Sequence, residues 1–272
     1  MSEAGVQGRY RWMDFLRGGA VLLVVAWHVV AVPALFGVEV PSVVRAFFDT
    51  TSVVRIPLLF LLSGMLLNAA VQKSPAQYFS GKFRHVIWPY VLWLLITVAA
   101  SGDLGVLGSP WTWLGGPFHL WFLAVLTACL VIGYVCRWVP PWLLALGIIC
   151  LDVVWDPSTN VIARFMHFGA YFFVGATIWP VLVRLGAEGW SWPRSRWLEF
   201  AGQTSIVWYV AHFAPMLIVC RVAAGTIPPV ALYGLTALVG YGVPALLVWG
   251  RQWWPWFFTA PTTPRRRSIS SQ

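Results

Sequence analysis

The chain has 272 residues, of which 59% are hydrophobic and only 10% are charged, and its mean hydropathy is +0.74. Several apolar stretches reach the roughly 18 residues that read as a membrane-spanning helix, so we predict an all-α polytopic membrane protein. The net charge of +9 does not indicate a nucleic-acid partner, because the basic residues are dispersed between apolar segments and no soluble domain remains to carry a basic face.

Eight apolar segments are predicted to span the membrane, although the fifth is short enough that seven spans is an alternative. In chain order the predicted spans are residues 12–33, 53–71, 86–101, 118–137, 141–155, 163–184, 202–222 and 229–249. With a cytosolic N-terminus, thirteen of the basic residues outside Arg17 fall on the inner side and four on the outer side. This bias and the even number of spans predict cytosolic N- and C-termini. Only two of the 18 basic residues are Lys, which indicates a GC-rich bacterial genome and hence the inner, or plasma, membrane.

The remaining composition is typical of a single membrane domain. The four cysteines lie inside apolar segments without metal-ligand spacing, so no metal site is predicted. Many of the 19 Trp fall at the predicted interfaces and are typical of an aromatic belt. We expect one domain over residues 1–258, followed by a disordered basic cytosolic tail over 259–272 that meets anionic lipid.

The first span carries three polar side chains on one face. Arg17 and His28 are eleven steps apart, which is three turns plus about 20° and about 16 Å along a helix, and Asp14 lies on nearly the same face. Charged groups in lipid cost about 2.5 to 3.5 kcal/mol each, so this face must meet protein or a water-filled cavity. An ordinary interfacial pair of Asp14 and Arg17 is the alternative for those two alone.

The string around these residues resembles the opening of the acyltransferase-3 family of integral membrane acyltransferases. Residues 11–20 read RWMDFLRGGA, and in the family a Leu-Asp-x-Leu-Arg-Gly-like string precedes a His at the same R-x10-H spacing; Met13 replaces the usual Leu. Five further segments resemble family elements in the family's order: Pro57–Gly64, Lys82–Tyr90, His119–Leu123, Phe173–Gly175 and Leu198–His212. The match departs in the second of these, where an Arg-x-x-Arg pair is replaced by Lys82 and His85, with Arg84 between them.

The resemblance implies acyl transfer from acyl-CoA, most simply acetyl-CoA. Because CoA is a cytosolic polyanion, its phosphates require a basic patch at the inner membrane face. We predict that Arg17, Lys82, Arg84 and His85 bind this co-substrate. Alternatively, the basic residues after the second span only set the topology.

His28 is the predicted catalytic residue, supported by Arg17 and Asp14. Its imidazole either takes the proton from an acceptor hydroxyl or is itself acylated, and the sequence leaves both open. Candidates for acceptor contacts or for support of His28 are Arg55, Ser63, His119, Trp121, His167, Tyr209 and His212, each of which is alternatively a packing residue.

The sequence therefore predicts an O-acetyltransferase that modifies a hydroxyl of an extracytoplasmic or membrane-associated acceptor, most plausibly a carbohydrate. Its expected partners are the bilayer, acyl-CoA and a glycan or small-molecule acceptor. One alternative is a transporter or exporter that uses Asp14, Arg17 and His28 as a proton or anion path. Another is an inactive assembly subunit whose polar residues lock helices together.

Overall fold

The computed structural model describes residues 10–155, 160–190, 193 and 195–261, and this part of the chain is helical and without strands. Its helices are α1 (Arg11–Ala34), α2 (Ser42–Gly64), α3 (Leu67–Ala70), α4 (Pro75–Lys82), α5 (Trp88–Ser101), α6 (Pro110–Gly115), α7 (Trp121–Val135), α8 (Pro141–Val154), α9 (Asn160–Arg184), α10 (Arg196–Gln203), α11 (Ser205–Ala211), α12 (Phe213–Ala223) and α13 (Pro229–Trp249). Most of the predicted tail, residues 262–272, lies outside the described residues. The all-α prediction is confirmed.

Six helical segments among the described residues are long and apolar enough to cross a membrane. They are Arg11–Ala34, Ser42–Ala70, Pro75–Ser101, Val161–Arg184, Ser205–Ala223 and Pro229–Trp249. Each coincides with a predicted span. The other two predicted spans correspond to α7 and α8, which are apolar but only 15 and 14 residues long.

The second and third of these segments begin well before their predicted starts. Charged residues such as Arg45 and Lys82 interrupt the apolar pattern there, but charge alone does not end a helix. At α4 the actual start has its own signal, because Ser74 and Gln77 form a capping box and Pro75 occupies the first helical turn.

The segment of α11 and α12 is broken at His212. Pro215 explains the break, since it has no N–H to donate to the carbonyl of Ala211 and its ring crowds that carbonyl. His212 therefore lies between two helices within one membrane segment, where its position is set by the local backbone.

A pair of glycines holds α1 against α10. A Cβ at Gly18 would lie 2.8 Å from the carbonyl carbon of Leu198, and closer still to the oxygen. A Cβ at Gly202 would lie 2.6 Å from the carbonyl carbon of Asp14. Only glycine permits this approach of two backbones, which fixes α1 at the level of Asp14 and Arg17.

A second pair of glycines holds α2 against α9. A Cβ at Gly64 would lie 2.7 Å from the carbonyl carbon of Phe172, and one at Gly175 would lie 2.9 Å from that of Leu61. The core around this crossing includes Phe60, which is fully buried. This close approach fixes α2 against α9.

Candidate active site

A cavity of about 530 Å³ opens beside the C-terminal half of α1. Its walls come from α1, α2, α9, α11, the start of α7 and the turn before it. Six predicted site residues line it: His28, Arg55, His119, Trp121, His167 and Tyr209. Residues distant in the sequence are thus brought to one cavity whose volume is in the range of small-molecule sites.

His28 forms a hydrogen-bonded pair with His212. The Nδ1 of His28 lies 2.8 Å from the carbonyl oxygen of Val24 and 3.1 Å from the Nε2 of His212. The Nδ1 of His212 lies 2.8 Å from the carbonyl oxygen of Trp208. The two rings have centroids 4.9 Å apart.

These contacts assign the protons of both rings in their neutral form. A backbone carbonyl only accepts, so each Nδ1 carries the hydrogen. The Nε2 of His212 is then an acceptor and shares the Nδ1–H of His28. The Nε2 of His28 has no hydrogen-bond partner among the described residues, so its lone pair is free and it is the basic nitrogen of the pair.

His119 completes a cluster of three imidazoles. It is buried, its ring stacks on Phe213 with centroids 4.6 Å apart, and its ring centroid lies 6.0 Å from that of His28. Its backbone carbonyl accepts the hydroxyl hydrogen of Tyr209. In the part of the chain that the structure describes, no group of three or more His, Cys, Asp or Glu is arranged to hold a metal ion.

A smaller cavity of about 100 Å³ lies beside the N-terminal half of α1. Arg17 and Ser63 line it, and the guanidinium of Arg17 is 3.9 Å from the buried carboxylate of Asp14. Tyr209 lines this cavity and the one that contains His28. The two cavities therefore follow one another along α1 and meet at the Tyr209 ring.

Three of the predicted CoA-binding residues, Lys82, Arg84 and His85, lie at the end of α4 and in the π-helical turn that follows it, Phe83–Ile87. The ammonium of Lys82 lies 5.4 Å from the ring centroid of Tyr78, and the guanidinium of Arg84 donates to the carbonyl of Ala260 over 3.3 Å. Neither lines the cavity that contains Arg17. Lys82, Arg84 and His85 lie close enough to interact electrostatically, but the structure does not bring them into one cavity with Arg17, and their binding of CoA stays a prediction.

His85 instead lines a third cavity, of about 410 Å³, together with Arg251. Ile206 lines this cavity and the one that contains Arg17. The three cavities consequently form a series. The cavity of His85 shares Ile206 with the cavity of Arg17, and the cavity of Arg17 shares Tyr209 with the cavity of His28.

Sequence reasoning did not select several lining residues. Trp27, Ser52 and Tyr171 line the large cavity, and Ser205 and Arg251 line the smaller ones. A signal existed for Ser205, which lies one helical turn before Tyr209 and hence on the same face of α11.

Comparison with known proteins gives one finding. A family model described as an acyltransferase domain matches residues 10–153, just over half of the chain. The match includes α1 through most of α8, and therefore His28, but not the helices that carry Tyr209 and His212. No curated protein and no solved structure matches the chain.

Proposed function

The chain belongs to the acyltransferase-3 family, and on that premise we propose that it transfers an acyl group, acetyl in the first instance, from acyl-CoA to a hydroxyl of a carbohydrate or similar acceptor. The acceptor is extracytoplasmic or membrane-associated. We propose eight spans, with α7 and α8 as the short ones, and cytosolic termini in the plasma membrane of a bacterium.

The observation that carries the proposal is the state of His28. Its Nδ1–H is held by Val24 and His212, which leaves Nε2 as the basic nitrogen. The ring that carries this nitrogen lines a ligand-sized cavity. A neutral imidazole with one nitrogen anchored and the other free is arranged as a general base.

The proposed step is attack of the acceptor oxygen on the thioester carbonyl carbon. The Nε2 of His28 removes the hydroxyl proton as the new C–O bond forms. The Nε2 of His212 accepts a hydrogen bond from the Nδ1–H of the resulting imidazolium, which keeps that hydrogen. The C–S bond then breaks, and the proton passes from Nε2 to the departing CoA sulfur. In the alternative route that the chemistry allows, the Nε2 of His28 first attacks the thioester carbonyl carbon and CoA departs. The acyl-imidazole so formed then passes the acyl group to the acceptor oxygen.

The series of cavities supports a route for the donor. In the proposed orientation the cavity that contains His85 and Arg251 lies toward the cytosol, where phosphates of CoA meet basic side chains. The thioester arm passes Arg17 and reaches His28 beyond Tyr209. The acceptor enters the large cavity from the other side.

The test is transfer of radiolabelled acetyl from acetyl-CoA to the glycan fraction of membranes that contain the protein. His28→Ala is expected to reduce incorporation by about 10²- to 10⁴-fold, the usual contribution of a general base. Val30→Ala, on the same turn but outside the cavity lining, is the matched control. Undiminished incorporation by the His28→Ala protein would contradict the assignment.

A further inference from the structure

Arg55 is a buried cation in the wall of the cavity that contains His28. It is only 6% exposed, in the middle of a membrane-length segment. Its Nη1 donates to the carbonyl oxygen of Phe48 over 2.8 Å and to the hydroxyl of Thr51 over 3.0 Å. The guanidinium carbon lies 5.8 Å from the ring centroid of Trp27, which also lines the cavity.

These contacts leave one edge of the guanidinium without a hydrogen-bond partner among the described residues. The Nε–H has no hydrogen-bond partner within the described part of the chain, and the hydrogen bonds of Arg55 found there all use Nη1. The Nε and Nη2 hydrogens point the same way from a planar group, which is the geometry that binds a carboxylate or a phosphate with two parallel hydrogen bonds. Because Nε is buried in this conformation, such binding requires the side chain to turn this edge toward the cavity.

The charge of Arg55 has no salt-bridge partner among the described residues. The carboxylate that acts on it electrostatically is that of Asp49, which is exposed on the same helix and outside the cavity lining. The cavity lining contains no Asp or Glu. His167, which also lines the cavity, has its own partner, since its Nδ1 is 3.5 Å from a carboxylate oxygen of Asp152.

A buried, unpaired cation is costly in a protein interior and in a membrane. The cost falls when a ligand brings the opposite charge, so a cavity of this kind favours anionic over neutral ligands. The nearby ring of Trp27 offers a flat face of the sort that packs on a sugar ring.

We infer that the acceptor is an anionic hydroxyl compound, a sugar acid or a sugar phosphate, whose oxyanion binds Arg55 while its hydroxyl meets His28. This rests on the proposed function for the role of the ligand. The cavity volume of about 530 Å³ accommodates a ligand of that size.

The test measures binding to the purified full chain in detergent by calorimetric titration. The probes are methyl β-D-glucuronide, glucose 6-phosphate and, as the neutral comparison, methyl β-D-glucoside. At least one charged probe is expected to bind about tenfold or more tightly than the neutral one, because hydrogen bonds to charged groups are the strong ones. The two charged probes distinguish carboxylate from phosphate recognition.

Variants assign the preference to one side chain. Arg55→Gln is expected to remove the preference, and Arg55→Lys to retain only part of it, since Lys keeps the charge but not the planar fork. Arg45→Gln, which removes an exposed charge from the same helix, is the matched control and leaves the preference unchanged. Unaltered CoA binding by Arg55→Gln shows that the variant is folded.

The outcomes separate this inference from the proposed function. Equal binding of charged and neutral probes, binding of neither charged probe, or an equal loss for all probes in Arg55→Gln overturns the inference. Acetyl transfer to a neutral sugar alone would overturn it too, while leaving the proposed acyltransferase activity in place. Charge-selective binding through Arg55 without acetyl transfer to any bound probe supports the inference on the ligand and counts against the proposed reaction.

Discussion

Adding one methyl group at Gly18 tests whether the crossing of α1 and α10 holds the site together. The new Cβ would lie 2.8 Å from the carbonyl carbon of Leu198, whereas ordinary contact begins at 3.4 Å, and it would lie closer still to the oxygen. Both partners are backbone, so no side chain can rotate away. The two helices would have to separate by more than about 0.6 Å.

The neighbouring glycine provides the control. A Cβ at Gly19 meets nothing within 4 Å, so Gly19→Ala is free of the clash. In a helix interior that change is expected to leave stability unchanged or raise it by up to about 1 kcal/mol. Gly18→Ala gains the same helix propensity but overpacks the crossing, which typically costs about 1 to 3 kcal/mol. We therefore expect a net loss of stability in Gly18→Ala alone.

The assay is thermal unfolding of each purified protein in detergent, with acetyl transfer measured below the transition. Gly18→Ala is expected to unfold at a lower temperature than the wild type, and Gly19→Ala at the same or a higher one. Activity should fall in Gly18→Ala even where the protein is folded, because Arg17 moves with the helix. Equal stability and activity of the two alanine variants would refute the close backbone contact.

Other predictions concern the three cavities. His212→Phe keeps a ring beside His28 but removes the nitrogen that accepts the Nδ1–H of His28. We expect kcat to fall about ten- to a hundredfold with little change in KM for acetyl-CoA. A change in KM alone would contradict the positioning role of His212. Tyr209→Phe removes the phenolic hydrogen bond described above, and we expect acetyl-CoA hydrolysis without acceptor to rise; an unchanged hydrolysis rate would count against a barrier at this ring. Arg251→Gln should raise KM for acetyl-CoA about tenfold while kcat changes little, with Arg45→Gln as the control, and an unaltered KM would exclude this cavity as the donor site.

The helices of this protein follow closely from its sequence because apolar length is a strong signal. The six long segments coincide with predicted spans, and the main errors are late starts at residues where a charge interrupts the apolar run. Arg17 and His28 could likewise be selected in advance, since polar groups in an apolar helix must meet protein or water.

The assembly of the site could not be predicted in the same way. His212 was a candidate from its family-like segment, but its hydrogen bond to His28 joins residues 184 positions apart and depends on the helix break before Pro215. The predicted basic patch depended on neighbours in sequence, whereas Arg251, which lines the cavity of His85, comes from a distant segment. Local pattern carries no information about such packing.

The Tyr209 ring bears on how a reactive thioester survives next to an open cavity. The ring is buried between the two cavities along α1, and its hydroxyl is tied to the backbone of His119, so the ring cannot swing aside without losing a hydrogen bond. The hydrogen bond favours this closed position by about 0.5 to 1.5 kcal/mol, so the ring is closed most of the time but still opens readily when an acceptor displaces it. In the proposed reaction, the closed ring shortens the time during which water from the large cavity reaches the thioester while the acceptor is absent.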